Sequence, residues 1–160
     1  MAEAERDNPG LIMPPPFFPL IALIVAIALE WLAPLPIFPA PGIGQLQFWL
    51  GIVLIVGGIA IAIQAVTTFR AAGTNVEPYK PSTSLVTSGP YRFTRNPIYL
   101  GFLAFYTGLC LTFALEWGFL LLPFLWLALD RLVIAKEEDY LSRKFGDAYA
   151  RYLTHTRRWI

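Results

Sequence analysis

The chain has 160 residues, suited to one domain, and is 56% hydrophobic with only 14% charged residues, where a soluble domain carries about 25%. A net charge of +1 lacks the basic bias of a nucleic-acid-binding protein. One cysteine, Cys110, and one histidine, His155, exclude an internal disulfide framework, argue against a cysteine-based metal site and rule out most His-based metal or triad chemistry.

The apolar residues come in long blocks, each near the roughly 20 residues that span the hydrocarbon layer. Residues 1–8 are mixed and mostly acidic (Glu3, Glu5, Asp7), and the first block has no clear small-residue cleavage site, so no signal peptide is expected. After the stiff run Pro14, Pro15, Pro16, a first span is expected over 17–35, with Glu30 near its outer end, where it can snorkel to water. A proline-rich link (Pro34, Pro36, Pro39, Pro41) reads as an extended external cap. A second span runs over 45–69 without a charge, and a third over 97–115. A fourth runs over 117–134, with Asp130 placed to pair with Arg131 or a neighbouring helix. Only Glu116, Trp117 and Gly118 separate the third and fourth, which predicts a tight helical hairpin. Cys110 reads as core.

Basic residues set the orientation. The links after the first and third spans have no Lys or Arg. Arg6 precedes the first span, and Arg70, Lys80, Arg92 and Arg95 lie between the second and third. The remaining basic residues lie from Arg131 onward. Four spans with both termini in the cytoplasm put every cation on that side. Beyond the fourth span, Tyr140, Leu141, Phe145, Ala148, Tyr149, Tyr152 and Leu153 recur at helical spacing opposite Asp139, Arg143, Lys144, Asp147 and Arg151. This predicts an amphipathic helix that lies on the membrane surface or folds over the cytoplasmic ends, interrupted at Gly146, with Asp147 available to cap its second part. The predicted fold is all-α: a polytopic membrane protein with about four transmembrane helices plus a cytoplasmic amphipathic C-terminal helix, forming one domain over 1–160.

The polar chemistry collects in the loop 70–96 and the segment 135–160. The first region ends in Gly89-Pro90-Tyr91-Arg92-Phe93-Thr94-Arg95-Asn96-Pro97-Ile98-Tyr99-Leu100-Gly101. The second contains Glu137-Glu138 and Phe145-Gly146-Asp147-Ala148-Tyr149 and ends in Arg157-Arg158-Trp159. Alone, Tyr91 to Arg95 would read as interfacial anchors and Glu137-Glu138 as a solvated face. In this order they resemble the isoprenylcysteine carboxyl methyltransferase and phospholipid methyltransferase families, over about 50–159. Val56-Gly57-Gly58 followed by Ala72-Gly73-Thr74 looks like the families' G-x-G and Gly-Thr region, with only the second glycine, Gly58, present. Gly57 and Gly58 read equally well as a helix–helix contact.

The resemblance implies an enzyme dependent on S-adenosylmethionine, with S-adenosylhomocysteine as product. It implies cofactor contacts at Gly58, Tyr91, Arg92, Asn96, Pro97, Tyr99, Gly101, Glu137 and Glu138. Arg95, Asn96 and Glu138 would be catalytic, and Arg95, His155, Arg157 and Trp159 would hold the acceptor. Glu137 and Glu138 suit the cationic groups of such a cofactor, and the arginines its carboxylate. Asn96 is placed either to cap the helix that Pro97 opens or to touch cofactor, and both roles stay open. In related sequences an arginine often sits where His155 stands.

The expected reaction is methyl transfer to a lipophilic acceptor that enters from the bilayer. Its first candidate is the carboxylate of an isoprenylcysteine-like substrate, and the nearest alternative a phospholipid amine or a small thiol. An NADPH-dependent membrane reductase and a non-enzymatic membrane scaffold are the rivals from other classes. The partners expected are the bilayer and a lipophilic or prenylated substrate, with neither metal nor nucleic acid.

Overall fold

Proline and apolar sequence together determine where the helices begin. In the computed structural model, which describes residues 7–160, Pro16 precedes α1 (Phe17–Leu32). Helix α2 (Leu46–Ala71) follows the proline-rich link. Pro97 occupies the first turn of α3 (Pro97–Phe113), where its missing N–H costs no hydrogen bond. A short 3₁₀ turn, Gly89–Arg92, lies ahead of α3. Helix α4 (Glu116–Ala128) passes through a π-helical segment, Leu129–Ile134, into α5 (Ala135–His155). No strand forms among the described residues. Glu3, Glu5 and Arg6 lie outside them.

Among the described residues, two helices are long and apolar enough to cross a membrane: α2, and the run Glu116–His155. Helices α1 and α3 are apolar but shorter, at 16 and 17 residues. The fourth span and the start of the C-terminal helix, expected as separate pieces, join without a break from Glu116 to Phe145. Gly146 leaves helical geometry (φ 48°, ψ −123°) and kinks the run, which resumes to His155. At 1.5 Å per residue the part before the kink is about 45 Å long, longer than the roughly 30 Å hydrocarbon layer. Its apolar part ends at Ile134 and its charged part starts at Lys136.

Helices α2 and α3 form the closest packing in the protein, and glycine is the reason. Gly51 faces Gly108, and Gly58 faces Gly101. A Cβ on Gly58 would stand 2.6 Å from the Gly101 carbonyl oxygen, and one on Gly108 would stand 2.7 Å from that of Gly51. Both pairs repeat at a two-turn spacing, so one stripe on each helix lets the backbones touch. The connection from α3 to α4 is shorter than expected. Ala114 takes a left-handed conformation (φ 50°), and Glu116 already belongs to α4. Behind this hairpin Tyr106, Cys110, Leu125, Leu129, Val133 and Ile134 make the core, with Tyr106 donating to the Gly118 carbonyl at 3.1 Å.

Glu30 has a bonding role where snorkelling was expected. Its carboxylate accepts the Glu116 N–H (3.0 Å) and the Leu35 N–H (3.3 Å), supplying an acceptor at the start of α4. The buried Glu116 in turn accepts the Phe38 N–H at 3.0 Å, and Trp117 donates to the Ala33 carbonyl at 2.7 Å. The proline-rich link is thereby tied across the end of the bundle away from α5.

Replacing Gly101 by leucine drives a side chain into the α2 backbone. The expected loss is about 1–3 kcal/mol of stability, the usual penalty of overpacking, measured by denaturation in detergent. Gly57→Ala serves as a near-neutral control, since nothing lies within 4 Å of its Cβ position. Equal effects would show that the glycine contact does not limit packing.

Candidate functional site

At the α5 end of the bundle, the chain's C-terminal residues are drawn back against the start of α3. The Arg95 N–H donates to the Arg157 carbonyl at 2.9 Å. Thr94 Oγ1 and Asn96 Nδ2 both donate to the Arg158 carbonyl, at 3.1 and 3.0 Å. Thr94 and Arg157 form a parallel bridge. Asn96 sits at the cap position of α3 without a side-chain capping bond. Its amide instead holds the C-terminal residues.

Charge locks this arrangement. Glu138 receives two guanidiniums: Arg95 at 2.9 Å on one oxygen, and Arg158 on the other. Arg95 also donates to the Thr156 carbonyl. Arg158 continues to Asp130, 5% exposed, at 3.1 Å, and Trp159 Nε1 donates to the same carboxylate at 3.0 Å. Arg131 approaches it at 3.5 Å. Asp130 lies within the π-helical segment, a local widening that occurs in short pieces, frequently at functional sites. The hydrogen bond to Glu138, reinforced by its charge, raises the pKa of Arg158.

Glu137, next to this knot, has a different environment. The Tyr99 hydroxyl donates to it at 2.6 Å, and no cation pairs with it among the described residues. Desolvation is the main influence on its carboxyl, and the neighbouring Glu138 charge adds to it. The pKa rises to about 7 despite the hydrogen bond. Glu137 therefore bears an acid that titrates near neutrality at the edge of a cavity.

That cavity measures about 870 Å³, mouth included. Tyr91, Arg95, Asn96, Pro97, Tyr99, Glu137, Glu138, Tyr149 and Tyr152 contribute to its wall, and the segment Asn75–Val86 contributes much of the opposite side. Tyr152 OH donates to the Tyr91 carbonyl at 2.6 Å, which ties α5 to the 3₁₀ turn. The Phe69 and Tyr91 rings meet at 4.9 Å. The loop side is held by Thr74 Oγ1, which accepts the Thr83 N–H at 3.0 Å, and by Tyr140 OH, which accepts the Ser82 N–H at 3.0 Å.

A second, larger and mostly apolar recess lies beside it, about 1280 Å³ with its open side. It is bounded by Pro14–Pro16, by Ala62, Ile63 and Val66 of α2, and by Phe102 of α3. The recess and the polar chamber share Val76, Glu77, Pro78, Ile98 and Tyr99 as a common wall. Arg70 lines the recess and has no hydrogen bond or ion pair among the described residues. Glu77, the other charged group there, is paired with Lys80 at 2.7 Å. Sequence reading passed over Arg70, because it looks like an ordinary cation at the end of a membrane helix.

The expected residues thus divide. Tyr91, Arg95, Asn96, Pro97, Tyr99, Glu137 and Glu138 meet around one chamber. Gly58 and Gly101 meet each other instead of lining it. Arg92 and His155 line a separate cleft. Arg157 lies exposed beside the Ile160 carbonyl, and Trp159 packs against Trp126 at 6.0 Å. Arg95, expected to grip an acceptor, is occupied by Glu138 and Thr156.

The family model for phospholipid methyltransferases matches residues 46–148, more than half of the chain. An uncharacterized protein of Haemophilus influenzae is 50% identical over 34 residues, 21% of this chain; the match covers 54% of that relative, about half its length. No solved structure matches.

Two measurements test the site. Arg158→Met leaves Asp130 and Glu138 each short of a partner and is expected to cost about 1–3 kcal/mol. Adding Asp130→Asn should cost less than the sum of the two single changes; additive losses would disconnect the pair. Between pH 4.5 and about 7, folded Glu137 holds a proton that the unfolded chain releases. Its contribution to stability therefore falls as pH rises through that window. Subtracting the Glu137→Gln profile from that of the wild type should isolate this slope, and parallel profiles would contradict it.

Proposed function

The chain belongs to the phospholipid methyltransferase family, and from that premise we propose that it transfers a methyl group from S-adenosylmethionine to a lipophilic acceptor at the cytoplasmic face of a membrane. The observation that carries this reading is the common wall. A polar chamber beyond the apolar part of the helices adjoins an apolar recess between the Pro14–Pro16 run, α2 and α3, with Tyr99 in both. Such a pair of spaces suits one polar ligand and one lipid.

The residues present fit the cofactor. S-adenosylmethionine, when bound, supplies a methyl group already activated by a sulfonium. Glu137 offers a carboxylate to a cationic group. Tyr91, Tyr99, Tyr149 and Tyr152 offer aromatic rings to adenine or to positive charge. Glu138, held between Arg95 and Arg158, acts by positioning the chamber's walls. The protein's own task is then alignment and exclusion of water.

For the acceptor, Arg70 is the available cation in the apolar recess, suited to an anionic headgroup whose chain lies along α2 and α3. The carboxylate of an isoprenylcysteine-like lipid is the first such acceptor. A phospholipid amine is the second reading, favoured by Glu137: an acid titrating near 7 can take a proton from an ammonium group. Four crossings with both termini cytoplasmic complete the proposal. Its support is the apolar belt exposed on all four helices, including Ile24, Trp31, Trp49, Val53, Phe105, Phe124 and Leu127, a surface that favours lipid over water. The whole chain, 1–160, acts as one unit in this reading.

Calorimetric titration of the detergent-purified protein with S-adenosylhomocysteine, with NADPH as control, is the test. Saturable binding of the former, weakened at least tenfold by Glu137→Gln and unaffected by Arg70→Gln, is the expected outcome. Binding of NADPH alone would turn the reading to a reductase. Binding of neither to folded protein would remove the enzyme reading.

A further inference from the structure

A third concavity opens beside the 3₁₀ turn, about 720 Å³ with its mouth. Thr87, Arg92, Arg151, Tyr152, His155 and Thr156 line it. Its charge is unusual for this end of the molecule. Arg95 and Arg158 share Glu138, Lys80 pairs with Glu77, Arg131 with Asp130, Arg143 with Asp139, and Lys144 with Asp7. Arg92 and Arg151 converge on one cleft, and neither guanidinium has a hydrogen bond or ion pair among the described residues. Asp147 precedes Arg151 by one helical turn and makes no ion pair with it. His155 turns Nδ1 toward the Arg151 carbonyl at 2.8 Å, which leaves Nε2 for another contact. Thr87 and Thr156 add hydroxyl donors.

Two forked guanidiniums with hydroxyls between them match the oxygens of a phosphate. Phe93, next to Arg92 in sequence and 78% exposed, adds an apolar side chain at this surface, and exposed aromatics with cations are found where a protein meets the headgroup layer. We propose that this cleft binds a phosphate group, with Arg92 holding it from the 3₁₀ turn and Arg151 from α5. The source is the headgroup of an anionic phospholipid or free phosphate, and the experiment below separates them. Tyr152 OH already joins the two elements through the Tyr91 carbonyl. A phosphate held by both arginines adds a second tie between the same two walls of the chamber. The inference does not depend on the methyl-transfer reading.

The test uses the full chain in phosphatidylcholine nanodiscs, with and without phosphatidylglycerol, and in detergent with inorganic phosphate. Ligand binding to the folded state raises the melting temperature. Phosphatidylglycerol is expected to raise it by about 3 °C or more. The shift should be lost in R92Q/R151Q and partly retained in R92K/R151K. A shift with lipid only assigns the site to a headgroup, and an equal shift with inorganic phosphate assigns it to free phosphate. No shift in the wild type, or the same shift in R92Q/R151Q, overturns the proposal. Should the glutamine pair fail to fold, Arg151→Gln alone, on the exposed face of α5, carries the same comparison.

Discussion

Glu138 sits between two guanidiniums, and much of the polar end of this protein depends on that carboxylate. Arg95 reaches it from the start of α3, and Arg158 from the last residues of the chain. The carboxylate therefore joins three segments that are distant in sequence. Partly buried charges in such a cluster are held only where each has partners, since an unpaired one would carry its full desolvation cost. Asp130 extends the cluster into the π-helical segment, and Thr94 Oγ1, the Arg95 N–H and Asn96 Nδ2 add hydrogen bonds to the Arg157 and Arg158 carbonyls. This closure reinforces the hydrogen bond from Tyr152 OH to the Tyr91 carbonyl in holding α5 against the 3₁₀ turn, where the two elements wall the chamber.

The second constraint lies inside the bundle. The paired glycines of α2 and α3 bring two backbones into contact, and the ends of these helices diverge into the recess and the chamber. Tight packing at the centre thus coexists with open volume at one end. The wall shared by the two spaces is made where α3 begins, at Ile98 and Tyr99, and where the loop after α2 returns, at Val76 to Pro78. Neighbouring acids acquire opposite roles there. Glu138 is neutralised by arginines, whereas Glu137 faces only a tyrosine hydroxyl and is held near the neutral form by desolvation.

Arginines divide by the same logic. Arg95 and Arg158 are structural cations, occupied by carboxylates. The guanidiniums of Arg70, Arg92 and Arg151 line open spaces without a partner among the described residues. An unpaired guanidinium at a concave surface is where an anion from outside the chain can be accommodated, and the two concavities so equipped share no lining residue.

Much was legible in the sequence because it rests on local chemistry. Apolar blocks mark helices, since a backbone surrounded by apolar side chains must satisfy its own hydrogen bonds. Pro97 opens α3, Gly146 kinks α5, and the run from Gly89 to Gly101 with Glu137-Glu138 marks the family and one side of the chamber wall. Tertiary structure alone decided the rest. Fusion of the fourth span to α5 through a π-helical segment has no compositional sign, because Leu129 to Ile134 reads as ordinary helix. Gly58 and Gly101 can serve a ligand or a helix contact, and only the approach of α2 to α3 chooses between these. Whether an arginine is bound or free depends on which carboxylate folds against it. Spacing along the chain therefore grouped Arg92 and Arg95 together, and three-dimensional packing placed them in different sites.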